Sequence, residues 1–291
     1  MDKEIIYIAG AGRSGSTLVD IALGNIDEHW SLGELIFFVE NGLMSDEYCS
    51  CGKKVRQCEF WSRIIKEWQP TRNLTDAEFV KVQKDLLRNK RLIINFINSF
   101  AYRNEQLLFF QDLKTLYELV FKETGARVVI DSSKNAQYIK LLKKLPFKLT
   151  VLQVTRSFSG VLNSLKKELV ENREEGVEKG LVPQSFAYTL AIWLLDNFFS
   201  WFFAWGVNYK RIKYENFVNN PNETFGKILK ISKKNAVTLR NRGPLKANHL
   251  VAGNRLRISE TIFINKSSEV IWGTNVKKRH KNAARLIDFF Y

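Results

Sequence analysis

The chain has 291 residues, of which 45% are hydrophobic and 26% charged, a composition that excludes a disordered or fibrous protein. The formal net charge of +15 is the one extreme value, and it favours a polyanionic partner: a nucleic acid, an anionic membrane surface or a phosphate-bearing small ligand. Residues 227–257 concentrate this charge, with nine Lys or Arg residues and no carboxylate. A solvated basic face that only keeps the protein soluble is the alternative explanation.

Two segments bear on the cellular location. The first residues lack the apolar stretch of a signal peptide and run directly into a predicted strand. Residues 186–207 are apolar enough to suggest a membrane span, but Asp196 and Asn197 lie at the centre. A charge there costs roughly 2.5–3.5 kcal/mol in a bilayer. The sequence therefore predicts a buried core helix, no transmembrane segment and a cytoplasmic protein.

Apolar runs and helical patterns alternate along the chain. Strands are predicted at 5–9, 127–131, 149–155 and 209–213. Helices are predicted near 16–23, 76–98, 104–123, 136–145, 161–169 and 186–205, whereas 26–75 reads as irregular. Such alternation is typical of right-handed crossovers between parallel strands. We therefore expect one α/β domain over 1–291 with a central parallel sheet.

The three cysteines, Cys49, Cys51 and Cys58, fall within ten residues. A zinc half-site, a disulfide with one spare thiol, and three small buried side chains all fit this spacing. A structural zinc ion takes four ligands, and His29 is the nearest histidine in the sequence. With no fourth ligand close by, the sequence predicts no metal site.

Residues 10–17, Gly-Ala-Gly-Arg-Ser-Gly-Ser-Thr, join the first strand to the first helix. Backbone N–H groups and a helix N-terminus in this position make an anion site. The loop nearly matches the nucleoside-triphosphatase pattern G-x-x-x-x-G-K-[ST], but Ser16 replaces the lysine that reaches the β- and γ-phosphates, and Arg13 supplies a cation instead. Asp131, after the second strand, can imitate a magnesium-binding aspartate. A P-loop kinase that uses ATP and Mg²⁺ is thus the alternative.

Three motifs in matching order resemble those of the P-loop sulfotransferase superfamily, most closely its prokaryotic and carbohydrate-type branch. They are the loop 13–17, the pair formed by Arg156 and Ser164, and the segment 249–257 that reads H-x-x-x-G-N-x-x-R. The resemblance implies a P-loop-type three-layer α/β/α fold with a central parallel sheet, in which 26–75 and 166–205 lie on the acceptor side. It also implies that the chain binds 3′-phosphoadenosine 5′-phosphosulfate as co-substrate. The residues implied for its 5′-phosphosulfate are Arg13, Ser14, Gly15, Ser16 and Thr17, and those for its 3′-phosphate are Arg156, Ser164, Asn254 and Arg257, with Arg255 less securely placed.

The same resemblance implies the catalytic groups. Glu34 matches the glutamate base of carbohydrate-type members, with His29 as its rival. Arg13 would hold the sulfate, and Lys134 would either steady the sulfonate or bind the acceptor. Ser132 and Ser133 either orient the acceptor or form a capping turn. The implied reaction is metal-independent sulfuryl transfer to a hydroxyl or amine acceptor, with a carbohydrate among the candidates. Residues 213–217 resemble a family element that forms a structural strand-to-helix corner, and the cysteine pattern resembles that of prokaryotic members. Nucleic acid is disfavoured because the basic residues adjoin the nucleotide motifs.

Overall fold

The structure is a computed structural model that describes residues 3–88, 103–166, 172, 182–229, 243–266, 272–273, 276–289 and 291. Its centre is a five-stranded, fully parallel sheet in the order β2-β3-β1-β4-β5. The strands are β1 Glu4–Ala9, β2 His29–Ser31, β3 Val128–Lys134, β4 Lys148–Thr155 and β5 Asn208–Lys213.

The α-helices in the described part of the chain follow the strands in sequence. They are α1 Ser16–Gly24, α2 Glu59–Trp68, α3 Asp76–Leu87, α4 Arg103–Thr124, α5 Tyr138–Leu142, α6 Phe158–Leu165, α7 Phe186–Phe203, α8 Tyr214–Asn219, α9 Pro221–Leu229 and α10 Lys278–Phe289. Shorter helical turns are the 3-10 segments Leu35–Phe37, Val55–Gln57, Gln69–Thr71 and Arg255–Ile258 and the π-helical Phe38–Met44.

The central strand β1 is buried along its whole length, which is why its sequence reads as a continuous apolar run. Alternate side chains point to opposite faces of the sheet. Ile5 and Tyr7 join one core cluster, shared with apolar residues of α2 to α5. Ile6 and Ile8 join a second cluster, shared with α1, α8 and α9. The two clusters make the three-layer α/β/α arrangement, so the predicted fold class is confirmed.

The four predicted strands and the helix after β1 are confirmed to within three residues at either end. The prediction that 26–75 is irregular is wrong, because this region holds β2, α2 and several short helical turns. Its apolar residues pack against distant parts of the chain. Of the predicted helix 76–98, residues 89–98 lie outside the described part, and so does most of the charged stretch 166–180.

The aromatic helix α7 corrects a second prediction. We expected it to be buried, yet within it only Thr189, Trp193, Ser200 and Phe203 are. About half of the surface of each large apolar residue on the outer side is exposed: Tyr188, Leu194, Leu195, Phe198, Trp201 and Phe202. The helix packs one face against β4 and α6, and no described element covers its other face. With 18 residues and a mean hydropathy of 1.2, it is long and apolar enough to cross a membrane by length and composition alone.

Candidate active site

The loop 10–17 leaves the carboxyl end of β1, where the sheet order branches to β3 on one side and β4 on the other. Parallel α/β sheets bind their ligands at such a switch point. Two glycines in the loop are required by sterics. A Cβ on Gly10, at φ 129°, would lie 2.3 Å from the Val154 carbonyl oxygen. A Cβ on Gly15, at φ 86°, would lie 2.2 Å from the Tyr214 ring. The loop is therefore pressed tightly onto β4 and onto the start of α8.

Cations from three parts of the chain converge on this loop. The Arg13 guanidinium donates a 2.9 Å hydrogen bond from Nε to the Ser164 hydroxyl on α6. The Arg156 guanidinium, just after β4, donates from Nη1 to the Arg13 carbonyl oxygen at 3.1 Å and lies over the Tyr214 ring. Burial lowers the pKa of Arg13, and the positive charges of Arg156 and Arg255 lower it further. In the described part of the chain, none of these three arginines forms an ion pair with a carboxylate.

The loop also contains buried hydroxyl groups. Ser14, Ser16 and Thr17 are all buried. Among the described residues, the Ser14 hydroxyl finds no hydrogen-bond partner. The N-terminus of α1 begins at Ser16, where the first backbone N–H groups have no partner inside the helix. A buried hydroxyl and free amides beside unpaired guanidinium groups fit a bound anion such as a phosphosulfate.

Glu34 and Lys134 lie together at the neighbouring strand end. The Lys134 ammonium donates a hydrogen bond to Glu34 Oε1, and both side chains are largely buried. Lys134 is the last residue of β3 and has a left-handed φ of 64°, a conformation that costs energy and is common at functional sites. The sequence predicted both residues as catalytic, and the structure brings them together across 100 positions of chain.

A buried hydrogen-bond network supports this pair. Asp131 accepts from the Tyr117 hydroxyl at 2.7 Å, from the Ser133 backbone N–H at 2.9 Å and from the Ser133 hydroxyl. Ser133 in turn accepts from the Ile36 backbone N–H at 3.0 Å, two residues beyond Glu34. Burial raises the pKa of Asp131 to about 6, partly offset by the hydrogen bonds from Ser133 and Tyr117. Both oxygens of Asp131 are thus committed to structural hydrogen bonds, unlike those of a magnesium-binding aspartate.

Ser132 serves the same supporting purpose. Its hydroxyl donates a 2.7 Å hydrogen bond to Asp20 on α1, and its backbone N–H donates to the Gly33 carbonyl oxygen at 2.8 Å. Burial raises the pKa of Asp20 well above its usual value. Ser132 and Ser133 are both buried, and they position the Glu34 segment. The capping turn considered for them is not formed, because α5 begins at Tyr138 and no side chain caps it.

The two arginines of the third motif, Arg255 and Arg257, differ in burial and in the groups they act on. Arg257, predicted to contact the 3′-phosphate, is 1% exposed and donates to the carbonyl oxygens of Gly253 and Tyr48. Arg255 is exposed, and its charge acts on Arg13. Asn254 caps the 3-10 turn by accepting from the Leu256 backbone N–H at 3.1 Å. Arg257 therefore braces the segment, and Arg255 is the exposed arginine whose charge acts on Arg13. The contact of Arg257 with the 3′-phosphate stays a prediction.

The same segment is tied to the Glu34 loop. Val251 accepts a 2.8 Å hydrogen bond from the Glu34 backbone N–H and donates a 3.0 Å bond to the Leu32 carbonyl oxygen. A Cβ on Gly253 would lie 3.2 Å from Glu34 Oε1. The carboxylate is therefore close to the segment that leads to Arg255, and this contact joins the two halves of the site.

Asp196 was missed as a site residue. The sequence showed it only as a charge in an apolar helix, yet it accepts a hydrogen bond from the Gly12 backbone N–H of the loop. Burial raises its pKa. On the same helix face, the Trp193 indole donates to the Arg156 carbonyl oxygen at 3.0 Å. Helix α7 therefore contacts the anion loop, which no feature of its sequence predicted.

The cysteines form a cluster that could hold a metal. Their thiol groups lie near His249, and the four ligand atoms are all within 4.8 Å of one another. His29, the fourth ligand considered from the sequence, instead has its Nδ1 at 2.8 Å from the Asp27 carbonyl oxygen. The sequence analysis predicted no metal site and considered His29 as a fourth ligand, so the cluster with His249 was not foreseen.

Comparison with known proteins decides the family. The family model described as "Sulfotransferase family" matches residues 5–232, well over half of the chain. The chain belongs to the sulfotransferase family. No curated protein sequence matches it. Residues 213–217 fit the expected structural corner of this fold, since β5 ends at Lys213, α8 begins at Tyr214, and Glu215 accepts a 3.0 Å hydrogen bond from the Ser157 backbone N–H.

Solved sulfotransferase domains match the chain at low sequence identity. The domain from the Synechococcus PCC 7002 olefin synthase is 14% identical, with a TM-score of 0.50 over 100% of this chain and 95% of that one. The domain from the curacin biosynthetic pathway is 16% identical, with a TM-score of 0.47 over 98% and 97%. Sulfotransferase STF9 from Mycobacterium avium is 10% identical, with a TM-score of 0.45 over 83% and 68%. The first of these supports the three-layer fold of this sulfotransferase.

Proposed function

We propose that this sulfotransferase takes its sulfuryl group from 3′-phosphoadenosine 5′-phosphosulfate and transfers it to a hydroxyl or amine acceptor, without a metal ion in the transfer step. One observation carries the proposal. Arg13 and Arg156 meet at the glycine loop, the charge of Arg255 acts on Arg13, and none of the three is paired with a carboxylate among the described residues. Three uncompensated guanidinium groups at a helix N-terminus favour a ligand with several anionic groups.

The roles of the donor-site residues follow from their positions. The amides of residues 14–17, the Ser14 hydroxyl and Arg13 would bind the 5′-phosphosulfate, since all belong to the loop after β1. Arg156, Ser164 and Arg255 would bind the 3′-phosphate from the two flanking elements. A bidentate guanidinium grip suits a phosphate group, because planar paired donors match its oxygens.

Glu34 would act as the base. Its carboxylate takes the proton from the acceptor hydroxyl or amine. At the same time the acceptor atom bonds to sulfur, and the bond between sulfur and the bridging phosphate oxygen breaks. The Lys134 ammonium is hydrogen-bonded to Glu34. From that position it would hold the carboxylate and stabilise negative charge on the sulfonate. The leaving phosphate carries the electron pair of the broken bond, and Arg13 stabilises it. Positioning and electrostatic stabilisation account for such a transfer.

A screen with ³⁵S-labelled donor tests the transfer itself. We expect label to move to one class of hydroxyl or amine acceptor, with carbohydrates, small alcohols and amines as separate arms. Arg156→Ala should lower that transfer strongly, whereas Arg127→Ala, which removes an exposed arginine paired with Glu28, should leave it unchanged. Equal loss in both variants, or γ-phosphate transfer from ATP with Mg²⁺ by the wild-type chain, would contradict the proposal.

A further inference from the structure

Cys49, Cys51, Cys58 and His249 meet from separate parts of the chain. Cys49 and Cys51 lie in a tight turn that the antiparallel bridge between Tyr48 and Lys54 closes. Cys58 is the residue before α2, and His249 comes 191 positions later, in the segment that leads to Arg255. In the part of the chain that the structure describes, this is the one group of three or more such side chains whose ligand atoms converge in this way.

The distances suit one tetrahedral ion. His249 Nδ1 lies 3.1 Å from Cys58 Sγ and 3.8 Å from Cys49 Sγ, and no two of the four ligand atoms are more than 4.8 Å apart. Zinc bonds of about 2.3 Å to sulfur and 2.0 Å to nitrogen place tetrahedral neighbours roughly 3.5–3.8 Å apart. Small shifts of the side chains would therefore close the coordination sphere.

Neighbouring residues fix the positions of the four ligand side chains. The Trp61 indole donates a 2.7 Å hydrogen bond to the His249 carbonyl oxygen, and the Phe60 ring stacks on the imidazole with centroids 5.2 Å apart. Ser50, between the two turn cysteines, donates from its backbone N–H to Leu250 and accepts from the Leu250 N–H. Cys49 and Cys58 are buried, whereas Cys51 is exposed and leaves an entry path for an ion.

We propose that Cys49, Cys51, Cys58 and His249 bind one structural Zn²⁺. Thiolate and imidazole ligands together favour zinc, and four protein ligands leave no open position for chemistry. The ion would fasten the turn 48–54 and the start of α2 to the His249 segment. Two residues further on, Val251 is hydrogen-bonded to the Glu34 loop, so the zinc would brace the segment between His249 and Arg255.

Metal analysis of the full chain tests this inference. The protein would be purified without chelator, with any affinity tag removed, and its zinc, iron and copper measured by mass spectrometry. We expect about one zinc ion per chain. Cys58→Ser and His249→Ala should lose it, and His29→Gln and His280→Gln should keep it. A chain without zinc, a chain loaded with iron, or a zinc content that the His29 variant removes would overturn the proposal.

Two further measurements apply if a variant fails to fold. His249→Cys should retain zinc, because a thiolate at this position restores a fourth ligand. If the imidazole served only for packing, a cysteine would not restore what His249→Ala loses. Wild-type chain freed of metal should bind Co²⁺ with a thiolate charge-transfer band and the strong visible absorption of a tetrahedral site, both abolished by added Zn²⁺. A weak octahedral spectrum, or a disulfide among these cysteines in the freshly purified protein, would count against it.

Discussion

The Arg13 guanidinium donates a 2.9 Å hydrogen bond to the Ser164 hydroxyl, although 151 positions of chain separate the two residues. This bond joins the loop after β1 to the helix after β4. The two halves of the proposed donor site, for the 5′-phosphosulfate and for the 3′-phosphate, are therefore in direct contact before any ligand binds. Such preorganisation lowers the ordering that binding would otherwise require.

Arg13→Ala should weaken binding of adenosine 3′,5′-bisphosphate by roughly 10- to 100-fold, because it removes a charge-assisted contact and releases Ser164. Ser164→Ala should have a smaller effect in the same direction. Calorimetric titration measures both, and Arg127→Ala is the control for loss of an arginine elsewhere. Unchanged affinity in Arg13→Ala would show that the loop is not the donor site.

Glu34→Gln should lower turnover by roughly 10²- to 10⁴-fold while leaving the affinity for adenosine 3′,5′-bisphosphate unchanged, because it removes the proposed base and not a donor contact. Lys134→Ala should lower turnover by roughly 10²-fold. Steady-state rates with labelled donor and the acceptor from the screen measure both effects.

The matched control is Glu40→Gln, which also takes a carboxylate from a lysine, since Glu40 pairs with Lys84 at 2.6 Å. It should leave turnover unchanged. If Glu34→Gln and Lys134→Ala both kept full turnover while Arg13→Ala abolished it, the catalytic assignment would be wrong and the donor site would stand.

The buried Asp131 should make stability depend on pH. Its pKa rises from 3.8 to about 6 on folding, so the folded chain holds a proton that the unfolded chain releases. The free energy of unfolding should therefore fall as the pH rises from 4 to 6, by about 3 kcal/mol at about 1.4 kcal/mol per pH unit, and this contribution should be constant above that range.

Asp131→Asn should lack this fall, and Asp27→Asn, which changes an exposed carboxylate, should keep it. Urea denaturation at several pH values between 4 and 7 gives the difference between each variant and the wild type. Parallel pH profiles for the wild type and Asp131→Asn would mean that Asp131 is ionised in the folded chain throughout.

Substitution by alanine should affect stability strongly at one glycine of the loop and hardly at all at another. Gly10→Ala should destabilise the fold by about 3 kcal/mol or more, because the new Cβ meets the Val154 carbonyl oxygen at a strained φ. Gly12→Ala should stay within about 0.5 kcal/mol of the wild type, since nothing lies within 4 Å of its added Cβ. Denaturation midpoints compare the two, and equal effects would contradict the described packing of the loop.

Local sequence signals were enough for four of the five strands and for the loop. The run from Ile5 to Ala9 is apolar because β1 is buried on both faces, and the glycines of 10–17 follow it directly. The region 26–75 was misjudged for two reasons. The apolar residues of α2, from Phe60 to Trp68, follow a helical period that the prediction overlooked. The strand β2 has three residues, too few to show a period of its own. Tertiary contacts determine structure there.

The parts of the site that sequence could not settle depend on long-range contacts. Arg255 and Arg257 are two residues apart in one motif, and only the contact of Arg257 with the Tyr48 carbonyl oxygen shows which of them turns inward. His249 was recognised in a nucleotide motif, whereas the cysteines it meets lie about 200 positions earlier. Asp196 reaches Gly12 only because α7 packs against β4.

Binding of the donor nucleotide tests the central claim most directly. The full chain would be titrated calorimetrically with adenosine 3′,5′-bisphosphate, with no divalent cation added, and separately with ATP and Mg²⁺. We predict that the bisphosphate binds with a Kd in roughly the micromolar range and that ATP with Mg²⁺ binds far more weakly. Tight binding of ATP with Mg²⁺, together with no binding of the bisphosphate, would contradict the account.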